Sequence, residues 1–111
     1  MKENVNFIST DQLTEILDNS SVVIVDCRFD LTDHEWGYSE YNKNHIPGAI
    51  FAHLEEDLSG PVTEETGRHP LPNMDIFLKK CSAWGINPEK QVIVYDHLGG
   101  AYAARLWWML K

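Results

Sequence analysis

The residues best placed to do chemistry lie in VIVYDHLGGAYAARLWW, residues 92–108, which reads as an apolar strand, a short loop holding Gly99 and Gly100, and a helix start. N–H groups at such a junction carry roughly half a positive charge and can cradle an anion, while glycines permit close approach. A cysteine at the first loop position would gain thiolate character there. The residue present is Asp96. One role for it is to cap the loop or helix with its own carboxylate; the alternative is an aspartyl nucleophile or metal ligand at a strand's carboxyl end. The loop has neither the Gly-Lys-Ser/Thr ending of a P-loop nor GxGxxG, which argues against a nucleotide.

Neither cysteine follows a strand into such a cradle. Cys27 lies at the end of an apolar strand run and Cys81 on an apolar helical stripe, so both are expected as reduced packing thiols. Asp26 and Arg28 flank Cys27 and are expected to pair at the sheet edge in a structural role. His45, before Pro47-Gly48, is expected to hold its turn by side-chain to backbone hydrogen bonds. His34, His53 and His97 have no zinc-like spacing with a cysteine, so no metal is expected.

The elements that must position these groups follow from periodicity. A helix is expected in STDQLTEILDN, behind a Ser9/Thr10 cap with Gln12 three residues after Ser9. SVVIVDCR and QVIVYD are runs of largely β-branched residues without alternation, the signature of strands buried on both faces of a parallel sheet. NFIS reads as a short edge strand, Ala49–Ala52 as a short strand, and Tyr38–Asn42 as a weak helix. Met74, Phe77, Leu78, Cys81 and Trp84 form the stripe of a core-facing helix capped by Asn73 and ended at Gly85. Residues 53–73 hold three prolines and two glycines and read as a long loop. The alternation of strands and helices predicts an α/β domain with a parallel sheet.

With 111 residues, the chain has room for one domain. Nine basic against seventeen acidic residues give a formal charge of −8, which disfavours nucleic acid and anionic membranes as partners. No stretch resembles a signal peptide or a membrane helix, so a cytoplasmic location is the expectation.

Taken together, VVIVDCRFDL, GYSEYNKNHIPGAIFAHLEEDLSGP, TGRHPLP, WGINPEKQVIVYD and GGAYAARLWWML resemble the N-terminal domain of two-domain rhodaneses, the thiosulfate and 3-mercaptopyruvate sulfurtransferases. The resemblance implies a rhodanese-like α/β fold with sheet order 1-5-4-2-3 and no dissociable cofactor. It implies that the nucleophilic cysteine belongs to a C-terminal copy of the fold, whereas Asp96 occupies the matching position here. It also places Glu55 and His69 on the cleft between the two domains, with Glu55 where that pattern has Asp. Arg68 is either an anion contact or a loop salt bridge.

The expectation is therefore a noncatalytic N-terminal domain, residues 1–111, that lines the pocket of a tandem sulfurtransferase. Its partners would be the C-terminal rhodanese domain and a small sulfur donor. The alternatives are an inactive rhodanese-like module that binds a protein, and an aspartate-based phosphatase. Because the helix at Leu106–Leu110 is not followed by another strand, the domain is expected to be cut short before its last strand. An open sheet edge and the apolar surface near Trp107 and Trp108 would then favour self-association.

Overall fold

The computed structural model describes residues 8–60, 70–97, 100 and 102–110. Among these residues, four helices and three strands alternate as α1 (Thr10–Ile16), β1 (Val22–Asp26), α2 (Trp36–Lys43), β2 (Ile50–Phe51), α3 (Met74–Ala83), β3 (Gln91–Tyr95) and α4 (Ala103–Met109). The strands form one sheet, ordered β2-β1-β3, in which every pairing is parallel. That order is the 4-2-3 portion of the topology implied by the resemblance.

β1 and β3 pair over five residues, from Val22 with Gln91 to Asp26 with Tyr95. Their β-branched side chains feed two apolar clusters, one on each face. Val25, Cys27, Phe29, Leu58, Phe77, Cys81 and Leu106 belong to the larger, and Ile24, Ala49 and Ile93 to the smaller. The parallel register brings the carboxyl ends of β1 and β3 side by side. Asp26, Cys27, Tyr95 and Asp96 therefore share one edge, where sites of open α/β sheets lie.

The helix ends follow local chemistry. Ser9 and Gln12 form a capping box on α1, with Ser9 N–H donating to Gln12 Oε1 at 3.0 Å and Gln12 N–H to Ser9 Oγ at 3.1 Å. Asn73 Oδ1 accepts from the Asp75 and Ile76 amides at the start of α3. At its end, Gly85 takes a φ of 81°, Gly85 N–H bonds the Ser82 carbonyl and Ile86 N–H that of Cys81. This is the Schellman arrangement that glycine permits.

Three expectations change. Ile8 and Ser9 are not in a strand, Ser9 being committed to capping, and the rest of NFIS lies outside the described residues. The Ala49–Ala52 strand narrows to Ile50–Phe51. On α3 only Phe77 and Cys81 are buried, whereas Met74 and Leu78 are 59% and 55% exposed. Leu78 sits one residue step, about 100°, beyond Phe77 and so turns off the buried face.

Candidate functional site

Asp96 follows β3 directly and reaches over the loop into the start of α4. Its Oδ1 accepts from Gly100 N–H at 2.9 Å, and its Oδ2 from Tyr102 and Ala103 N–H at 2.6 and 2.7 Å. Gly100 has a φ of 96°, a conformation that suits glycine and turns its amide toward the carboxylate. The loop is therefore a built anion cradle, and the anion in it belongs to the chain. Among the described residues, no group of three or more His, Cys, Asp or Glu could hold a metal.

Asp26 is fully buried and its charge is matched locally. The Arg28 guanidinium donates to it through Nε at 3.1 and 2.9 Å and through Nη2 at 2.7 Å. Tyr95 Oη donates to Asp26 Oδ2 at 2.9 Å and accepts from Ile46 N–H at 3.3 Å, while Arg28 Nη2 also reaches the Asn44 carbonyl. This network ties β1, β3 and the segment after α2 together. Its buried ions are worth keeping only because each has partners. Burial, reinforced by the bond to Asp26, pushes the Tyr95 phenol up to about 12. His45 Nδ1 lies 2.7 Å from the Tyr41 carbonyl, and its ring stacks on Tyr41.

Neither thiol is placed for attack. Cys27 is 2% exposed, and burial, with the Asp26 and Asp96 charges behind it, pushes its thiol far above the ordinary value. Burial likewise raises the Cys81 thiol.

Glu55 lies on the turn after β2, and its Oε1 is 2.7 Å from His34 Nδ1. Arg68 and His69 lie outside the described residues. The chain flanking them is tied to α4: Arg105 Nε donates to the Leu58 carbonyl at 2.8 Å and its Nη2 to that of Pro70 at 3.0 Å. Gly60 N–H also donates to the Pro70 carbonyl.

The sequence reading did not single out Arg105 or Tyr95 and treated His53 only as a zinc candidate to reject. His53 is 4% exposed, its Nδ1 accepting from Glu55 and Glu56 N–H at 3.1 and 3.2 Å and its Nε2 facing the His34 carbonyl at 2.9 Å. The available signal was its position two and three residues before those amides, the spacing of a cap. Beside it, Glu35, Tyr38, Phe51, His53, Glu56 and Asp57 line an open cleft of about 380 Å³.

Residues 9–111 match the model of the rhodanese-like domain. The chain is 47% identical over 104 residues to a probable 3-mercaptopyruvate sulfurtransferase of Pseudomonas aeruginosa, covering 93% of this chain and 37% of the relative. It is 34% identical to the 3-mercaptopyruvate sulfurtransferase of Escherichia coli K12, covering 95% of this chain and again 37% of the relative. The solved 3-mercaptopyruvate sulfurtransferase from Leishmania major superposes with a TM-score of 0.78 at 39% identity, over 88% of this chain and 28% of that one. The chain thus spans little more than a third of these two curated relatives.

Proposed function

The chain belongs to the rhodanese-like domain family, and from that premise we propose that residues 1–111 form the N-terminal, noncatalytic domain of a tandem sulfurtransferase. The observation that carries this reading is Asp96. Where a persulfide-forming thiolate would need the loop's N–H groups, a carboxylate bonded to three of them already holds the place. The nucleophile then resides on the C-terminal rhodanese domain of the same protein, the partner against which this domain packs its strand-end loops.

In the proposed reaction the partner thiolate attacks the sulfane sulfur of thiosulfate, or the sulfur of 3-mercaptopyruvate, and becomes a persulfide as sulfite or pyruvate departs. A thiophile such as cyanide then takes the outer sulfur and regenerates the thiolate. Glu55, Arg68 and His69 contribute the pocket wall from this side, while Asp26, Arg28, His45 and Asp96 hold the loops that carry it. We place the protein in the cytoplasm; no described helix is long and apolar enough to cross a membrane.

Expression of the full reading frame beside residues 1–111 tests the proposal. Thiocyanate or pyruvate formation is expected from the full protein and not from the isolated domain. Activity in residues 1–111 that disappears in Cys27→Ser would overturn it. A full protein without any second rhodanese domain would instead favour a protein-binding module.

A further inference from the structure

His53 is a buried imidazole to which the proposed chemistry assigns no role, yet it touches both sides of the Glu55–His34 pair. Its Nδ1 accepts the Glu55 and Glu56 amides, so that nitrogen carries no proton and Nε2 is the donor toward the His34 carbonyl. His53 N–H in turn donates to Asp57 Oδ2 at 2.8 Å, and the His53 carbonyl accepts from Asp57 and Leu58. The turn is thus closed reciprocally, with an imidazole where a capping box has a hydroxyl.

The surroundings leave this ring little freedom. Phe29, 1% exposed, stacks on His34 at 5.5 Å and meets His53 edge-on at 5.6 Å. The Phe51 ring also meets His53 edge-on. Lys80 Nζ fixes the far end of the turn through Asp57 Oδ1 and the Glu56 carbonyl. The Glu35 and Glu56 carboxylates stand 3.7 and 3.8 Å from Nε2.

We propose that His53 is a positioning residue for sulfur-donor binding: one buried imidazole fixes the backbone that carries Glu55 and the backbone of the His34 that Glu55 bonds. The inference rests on the reading that Glu55 faces the donor pocket. A pocket contact from a domain lacking the nucleophile acts on donor binding and orientation, so its displacement appears chiefly in KM.

Two measurements decide it. In the wild-type domain, 15N spectra should show the Nε2–H tautomer of His53, with Glu55 and Glu56 amides that exchange about tenfold or more slower than in His53→Ala. In the full-length protein, His53→Ala and Glu55→Gln should each raise the donor KM about tenfold with kcat nearly unchanged, and the double variant should be no worse than either. His53→Asn keeps an acceptor for the two amides and should recover most of the affinity, which also serves if His53→Ala does not fold. Additive KM effects, a loss confined to kcat, or an Nδ1–H tautomer would each overturn the inference. A full-length wild type without sulfurtransferase activity removes the functional reading alone; tautomer and exchange then still decide whether His53 holds Glu55.

Discussion

The Asp96 carboxylate and the Tyr102 amide meet at 2.6 Å across the turn that joins β3 to α4. With Gly100 and Ala103 donating to the same side chain, the junction depends on one residue. Asp96→Ala should cost about 2 kcal/mol, because charged acceptors contribute more than neutral ones and the amides lose their partner. Asp96→Asn, which retains one carbonyl oxygen, should lose less. Thermal unfolding of the three proteins gives the order, and an alanine variant as stable as wild type would contradict the capping role.

Cys27 should resist thiol reagents. Since burial and two nearby carboxylates raise its pKa from 9.0, the thiolate is scarce at pH 8 and the sulfur is screened by the core. Folded protein should react with an aromatic disulfide at Cys27 only as fast as it opens, and both cysteines should react at once in denaturant. Rapid labelling of Cys27 under native conditions is the opposing result.

Alkaline pH should weaken the fold. The folded-state pKa of Tyr95 is raised from 10.0 to about 12, so above pH 10 the unfolded chain releases this proton first. The contribution is complete below pH 10 and is lost as pH rises toward 12; the raised Cys27 thiol acts in the same direction from about pH 9. Urea midpoints measured from pH 8 to pH 11 should fall. The fall above pH 10 should be shallower in Tyr95→Phe.

Gly37 should not accept a side chain. A Cβ there would stand 1.9 Å from the Arg28 carbonyl oxygen and 2.8 Å from its carbon, both backbone atoms that cannot swing aside. Gly37→Ala should destabilise by about 3 kcal/mol, at the upper end of overpacking, by pushing α2 off the segment that holds the Asp26–Arg28 pair. Chemical denaturation checks this, and a change below about 1 kcal/mol would mean that α2 shifts easily.

Arg105→Lys should behave as a loss, not as a conservative change. A guanidinium serves the Leu58 and Pro70 carbonyls with two separate N–H groups, and a single ammonium on a flexible stem does not reproduce that fork. The Gly60 amide, bonded to Pro70, should exchange faster in the variant, by about tenfold for a bond weakened by roughly 1.4 kcal/mol. Unchanged protection at Gly60 would show that the stems hold without Arg105.

The parallel sheet was legible because Val22–Val25 and Val92–Val94 have no polar alternation, which leaves burial on both faces as the simplest solution. The cap at Ser9 and the stop at Gly85 were legible for the same local reason: each is decided within four residues. The long-range ties were not. Tyr95 meets Asp26 across 69 positions and Arg105 meets Leu58 across 47, distances over which periodicity carries no information. His53 was missed because a histidine followed by Leu-Glu-Glu-Asp looks like a solvated surface turn, whereas the Phe29 and Phe51 rings pack against it in the fold.

The carboxylate lodged in the loop after β3 also bears on how this junction responds to a ligand. A ligand shifts a conformational equilibrium only by the difference in its affinity for the two states. A loop whose anion is tethered by the polypeptide is occupied at every substrate concentration and has no empty state to leave. The amides of Gly100, Tyr102 and Ala103 are therefore closed to any diffusing anion for as long as the Asp96 carboxylate holds them.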